Sequence, residues 1–201
     1  MWQTLSKSIL LLAFALFICC GIYPLALWAV GQTFFPFEAN GSLLREANGN
    51  IIGSKLIAQS FTKDDYFHPR PSAAFYNPTA SASSALSVSN PALRERVARE
   101  IKLITAHRSR EKSVAIPADA VTTSASGLDP DITLENAFFQ LDRVASHWAA
   151  RLKRDPFTVR NEIKTLLEKK SRAPFEGLFG EKIVNVLEVN LALRKQYAAQ
   201  E

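Results

Sequence analysis

Ile9–Val30 reads ILLLAFALFICCGIYPLALWAV and lies inside an uncharged run that extends from Ser8 to Phe37. As a helix this stretch rises about 33 Å at 1.5 Å per residue, enough to cross a hydrocarbon core of about 30 Å. It is apolar on every side, whereas a core helix carries a polar stripe, and it exceeds the about 7 to 15 residues of a secretory h-region. A single membrane span is the expectation, with a cleaved signal peptide as the competing reading. Gly21 and Pro24 are tolerated in membrane helices when neighbours satisfy the freed carbonyl, and they point to a kink or a partner helix. Tyr23, Trp28, Phe34 and Phe35 gather at one end and Trp2 sits at the other, where aromatic rings prefer the interface.

Outward from the span, the amino terminus and Lys7 flank one side, while the first cation on the other side is Arg45. The positive-inside rule then puts the N-terminus in the cytoplasm and the rest of the chain outside it. Residues 1–37 are thus an N-terminal segment spanning the membrane at about 9–30, and residues 38–201 form one extracytoplasmic domain. Cys19 and Cys20 both lie in the span, so the outer domain has no disulfide and must be held by its core. After Glu38 the chain carries 23 Lys and Arg against 18 Asp and Glu. Its two basic stretches, Arg94–Lys112 and Arg143–Arg172, read first as solvated helix faces with i,i+4 pairs such as Glu95 with Arg99. Anionic lipid headgroups or an acidic partner surface are the alternatives, and nucleic acid is excluded by the extracytoplasmic placement.

Within the domain, Ser42–Ala47 and Ile51–Gln59 flank Asn48-Gly49, the dipeptide suited to a type I′ hairpin turn. Phe61–Asn90 has no helical or strand period. Five aromatics and three prolines there lead into a Ser/Ala tract, which suggests an ordered loop followed by a mobile segment. Asn90 and Pro91 open a helix with Leu93, Val97, Ile101 and Ile104 on one stripe. Val114–Ile116 is a strand candidate, and Thr122–Thr133 reads as a second small-residue loop. Thr133 caps a helix to about Lys153, Asp155-Pro156 opens another with Val159, Ile163, Leu166 and Leu167 inward, and Ile183–Leu193 reads as a β-type run finishing in a helical turn. The sum is an α+β domain of three helices and about four strands behind one transmembrane helix.

Sites are sought with mostly negative results. No Walker A, GxGxxG, GxSxG or HExxH pattern occurs, and His68, His107 and His147 share no i,i+4 spacing and have no cysteine in the domain to join them, so no metal site is expected. In Thr123–Pro130, hydroxyls and a glycine precede a helix start that favours an anion. Ser124 or Ser126 is conceivable as a nucleophile helped by Asp129 and a distant His, against the plainer reading of cap and turn residues. Arg70, in the run Tyr66–Ser72, suits either a partner carboxylate or lipid phosphate, or the satisfaction of loop carbonyls. Gln140 and Arg143, one turn apart, read as a tertiary hydrogen-bonding pair.

These blocks together resemble a known family. Phe35-Pro36 with Ala39–Leu43, Gly53–Phe61, Tyr66–Ala73, Ser89–Pro91, Ser124–Pro130, Gln140 with Arg143–Ala145, Val184–Leu187 and Asn190–Leu193 are similar, in order, to the C subunit of the Kdp potassium-transporting ATPase. The family's Gly/Asn/Pro-rich GSNLGPSNP-like stretch is replaced here by Ser83–Pro91. The resemblance implies a non-catalytic accessory subunit in the bacterial inner membrane. Its implied partners are a channel-like potassium subunit, a P-type ATPase subunit and a small fourth subunit, besides membrane lipids. It implies stabilisation of that assembly and a catalytic-chaperone effect that raises the ATPase subunit's affinity for ATP. No cofactor is bound independently; ATP with Mg belongs to the partner ATPase subunit and meets this chain only in a ternary complex. The family motifs supply the candidate partner or loop contacts: Tyr66, Phe67, Arg70, Pro71, Ser72, Ser124, Ser126, Gly127, Asp129, Gln140, Arg143, Asn185 and Asn190. An extracytoplasmic domain implies that any effect on ATP is transmitted through the membrane helix and that the domain caps the potassium entrance. A membrane-anchored binding module or hydrolase is the alternative.

Overall fold

The structure, a computed structural model, describes residues 2–46, 48–107, 115–178 and 180–197. The chain divides into two units, Met1–Ser54 and Lys55–Glu201.

In the first unit the apolar stretch is one helix, α1 (Trp2–Phe34), long and apolar enough to cross a membrane, with no buried residue. Its interruption falls where Gly21 and Pro24 predict it. Phe17–Ile22 is a π-helical turn, closed by the Tyr23 N–H donating to Ile18 O. Proline lacks an N–H, and its ring crowds the carbonyl four residues back; widening the preceding turn accommodates both. After a short helix, Pro36–Ala39, the chain turns through Gly41 (φ +82°) into β1 (Leu43–Arg45), which pairs antiparallel with β2 (Ile51–Ser54). The hairpin forms where Asn48-Gly49 places it, with Gly49 at φ +85°. Its second strand is shorter than Ile51–Gln59, because Lys55 and Leu56 already form a turn.

The second unit is built on α3 (Leu134–Leu152), α4 (Pro156–Lys170) and α5 (Val186–Tyr197), with α2 (Pro91–His107) preceding them. Thr133 Oγ1 accepts from the Asn136 N–H (3.1 Å), and Asp155 Oδ2 accepts from the Thr158 N–H (2.8 Å), capping α3 and α4 as the sequence predicts. The Thr158 hydroxyl and then its N–H hold the exposed Asp155 carboxyl below its usual value. Ala137, Leu141, Val144, Ala145 and Trp148 of α3 are buried against Val159, Ile163 and Leu167 of α4 and Val189, Leu193 and Tyr197 of α5. The Trp148 and Tyr197 rings lie 5.2 Å apart, inside the range of favourable aromatic pairs.

Two small-strand expectations are corrected. Ile183–Leu193 is a strand only over β4 (Ile183–Asn185), and the rest is α5. Its valines suit a strand, but Val186, Val189, Leu193 and Tyr197 fall on one helical stripe that the core buries, and Asn185 Oδ1 caps the turn by accepting from the Glu188 N–H (3.1 Å). The partner of β4 is β3 (Asp131–Thr133), inside the stretch expected to be loop. Three residues are too few to display a period of two. Of the Val114–Ile116 candidate, Val114 lies outside the described residues, and Ala115 and Ile116 are not in a strand. The α+β class stands.

Candidate functional site

The long segment from Phe61 to Asn90 contains no helix or strand, and its order comes from side chains on the helices. Asn190 on α5 works as a substitute strand. The Phe67 N–H donates to its Oδ1 and its Nδ2 donates to Phe67 O, both at 2.9 Å. Gln140 on α3 repeats the device one residue on, accepting from the His68 N–H (2.8 Å) and donating to His68 O (3.0 Å). Arg143, one turn further, donates to Asp64 O (2.7 Å), Tyr66 O (3.0 Å) and Gln140 Oε1 (2.9 Å), and Trp148 Nε1 donates to Asp65 O (2.7 Å). Burial lowers the Arg143 pKa from its ordinary value, with Asp64 and then Asp65 opposing the shift. The carbonyls of residues 64–68 thus meet donors in place of water, which allows Phe67 to be buried to 1% exposure.

Beyond His68 the chain meets the second loop. Arg70 donates through Nη1 to Asp129 Oδ2 (3.1 Å) and through Nη2 to Thr123 O (3.3 Å) of this chain's own loop, while its Nε is buried with no hydrogen-bond partner among the described residues. The Ser124 N–H donates to Pro71 O (3.1 Å). Ser72 Oγ donates to Gly127 O and accepts from the N–H groups of Ala74 and Tyr76 (both 3.1 Å). Gly127 sits at φ +73°, and a Cβ there would lie 2.8 Å from both Ala74 Cβ and Ala82 O, so two backbones cross where only glycine fits. The Ser/Ala tract, expected to be mobile, is stitched to the same loop: the Ala82 N–H and the Ser81 hydroxyl both donate to Ser126 O at 3.0 Å, and Ser84 Oγ meets Thr123 Oγ1 at 3.3 Å.

All thirteen residues singled out by sequence belong to unit 2. Twelve fall into these clamps, among them Tyr66 and Pro71 through their carbonyls and Phe67 through its backbone and buried ring. Asn185 stands apart as the cap of α5, and its Nδ2 also holds Lys55 O (2.9 Å). Among the described residues the serines gain no base. Ser124 is 2% exposed and its Oγ has no hydrogen-bond partner among the described residues, Ser126 Oγ accepts from the Leu128 N–H (3.1 Å), and Asp129 is taken by Arg70 and the Asp131 N–H. Among the described residues, these serines and Asp129 are engaged in the shape of the loops, and no base stands beside either hydroxyl. Sequence reasoning missed Asn136, 1% exposed, whose Oδ1 accepts from Gln140 Nε2 (3.1 Å), and Tyr76, whose hydroxyl donates to Arg70 O (3.0 Å). Asn136 was within reach: it lies four residues before Gln140 on the inward stripe of α3.

The model of the family described as "KdpC: K+-transporting ATPase, c chain" matches residues 5–195. A potassium-transporting ATPase KdpC subunit of Caulobacter sp. (strain K31) is 44% identical over 179 residues, covering 88% of this chain and 86% of that protein. The subunit of the same name from Escherichia coli O7:K1 is 43% identical over 185 residues, covering 90% and 92%. That of Caulobacter vibrioides (strain NA1000 / CB15N) is 45% identical over 175 residues, covering 87% and 84%. The match runs through α1, both clamped loops and the buried amides of α3 and α5, and by it the chain belongs to the KdpC family, the c chains of potassium-transporting ATPases.

Proposed function

We propose that this chain is a non-catalytic accessory subunit of an ATP-driven potassium-uptake complex, anchored in the bacterial inner membrane by α1 with its N-terminus in the cytoplasm. The observation that carries the reading is the use made of the motif residues. Arg70, Asp129, Gln140, Arg143 and Asn190 all bind the chain's own backbone or one another, so these motif side chains serve the shape of the domain. Such a body acts by what it binds. Its partners are the channel-like potassium subunit, the P-type ATPase subunit and the small fourth subunit, and the outer domain covers the potassium entrance. ATP with Mg stays on the ATPase subunit, and the gain in ATP affinity reaches it through the membrane helix, where the π-turn supplies an irregular surface for a neighbouring helix. Extraction from the native membrane in mild detergent, followed by mass spectrometry, tests the role: stoichiometric recovery of a P-type ATPase and a large polytopic subunit is expected, and recovery of this chain alone overturns it. Protease accessibility in oriented vesicles tests the topology, and a cytoplasmic location of residues 39–201 refutes the cap.

A further inference from the structure

Phe75 is 89% exposed, more than any other large apolar residue among those described. It also sits at φ +52°, and Tyr76 follows at φ +57°. Two successive residues other than glycine in the left-handed region oppose the steric preference of L-amino acids, and aromatic residues are among the worst suited to it. The cause is visible in the turn. Ser72 Oγ gathers the N–H groups of Ala74 and Tyr76 (both 3.1 Å), and the Asn77 N–H closes on Ala74 O (3.0 Å). Tyr76 is compensated, since its ring is partly buried and its hydroxyl donates to Arg70 O (3.0 Å). Phe75 is not: its ring points into solvent from a backbone that disfavours it. Glycine or asparagine would relieve the strain, so the conformation of this turn does not call for phenylalanine here.

We propose that Phe75 is a preorganised anchor that inserts into an apolar pocket on another subunit of the potassium-transporting ATPase; this rests on the accessory-subunit reading above. Strained backbone marks sites of recognition, and a rigid aromatic with two χ angles loses little conformational freedom on docking. Protein and not lipid is the occupant. Residues 72–80 read SAAFYNPTA, with no Lys or Arg and one large exposed apolar side chain, whereas membrane-binding segments combine several apolar residues with cations. A single buried aromatic is the pattern of an interface hot spot.

The test uses the full chain in its native assembly. Phe75→Asn keeps a residue that tolerates positive φ and removes the ring. The variant alone in detergent should melt no lower than wild type, while its apparent dissociation constant from the assembly should rise about tenfold or more. With p-benzoylphenylalanine at position 75, illumination should give an adduct with another ATPase subunit. Wild-type affinity of Phe75→Asn, adducts with lipid only, no adduct, or a lowered melting midpoint that makes Phe75 a folding residue would each overturn the anchor while leaving the accessory reading intact. Recovery of the wild-type chain without any ATPase subunit overturns both.

Discussion

Replacing Asn190 by leucine removes the side chain that holds Phe67 of the Phe61–Asn90 segment in the core. Asn190 is 2% exposed and Phe67 1% exposed, so water cannot take over the two 2.9 Å bonds that join them. Leucine fills the volume but leaves the Phe67 N–H and C=O buried and unpaired, at about 1–3 kcal/mol each. Burial of the Leu side chain returns part of this, and the Phe67 segment can escape by peeling away, which gives up about 2–3 kcal/mol of aromatic burial instead. The lesser of these routes sets a net loss of about 1–3 kcal/mol. Asn190→Asp sharpens the argument. The ionised carboxylate still accepts from Phe67 N–H but faces Phe67 O with a second acceptor, whereas the protonated acid donates to it and restores both bonds. Its folded pKa is therefore raised above the unfolded value of about 3.9, so the variant is most stable below that value and loses stability as pH rises through the folded pKa. Urea unfolding of the detergent-solubilised chain, followed by near-UV circular dichroism of the Trp148–Tyr197 pair, measures both effects. If Asn190→Leu unfolds within about 0.5 kcal/mol of wild type, or Asn190→Asp shows no gain on acidification relative to wild type, the clamp does not hold the loop as described.

Three further outcomes can be measured the same way. Gly127→Ala combines a positive φ of +73° with a Cβ 2.8 Å from Ala82 O, and should cost about 2–4 kcal/mol in unfolding free energy, with the crossing of the two loops lost first in hydrogen exchange. Ser124→Ala deletes a buried hydroxyl with no hydrogen bond, so stability should stay level or rise by about 1 kcal/mol and assembly with the ATPase should be untouched; loss of a hydrolytic activity would revive the nucleophile reading. The Arg154 guanidinium, and then the Tyr197 hydroxyl, hold the Glu162 carboxyl below its usual value. That stabilisation is present above the unfolded carboxyl pKa of about 4.3 and disappears as pH falls through the lower folded value, so acidification should depress the melting midpoint less in Glu162→Gln than in wild type.

Much of the architecture follows from local chemistry. The apolar run Ile9–Val30 can only be a helix in lipid, and Pro24, with no N–H, places the irregular turn just before itself. Thr133 and Asp155 announce the starts of α3 and α4 because their short oxygens reach N–H groups two or three residues ahead. Asn48-Gly49 announces the hairpin for a similarly local reason. The readings that failed are those that depend on distant partners. Asp131–Thr133 is a strand only because it finds Ile183–Asn185 across some fifty residues of sequence, and Val186–Tyr197 is helical because the core on α3 and α4 receives a helical stripe in preference to an alternating one.

The site divides along the same line. Sequence by itself determined an apolar helix long enough to cross a membrane, the helix starts and the family, because each rests on neighbours in the chain or on the order of short blocks. It left Arg70 open between a partner's carboxylate and its own loop, and Ser124 open between a nucleophile and a turn residue. Only the tertiary structure brings Asp129 and Thr123 to Arg70 and buries Ser124 Oγ with no hydrogen-bond partner among the described residues. It also showed that Asn190 and Gln140 stand in for strands, and that Phe75 is held outward by a turn closed on Ser72. The physical reason is range. A cap or a span is satisfied within a few residues or by composition, whereas a buried backbone group takes whichever donor or acceptor the completed fold delivers, 123 positions away for Phe67.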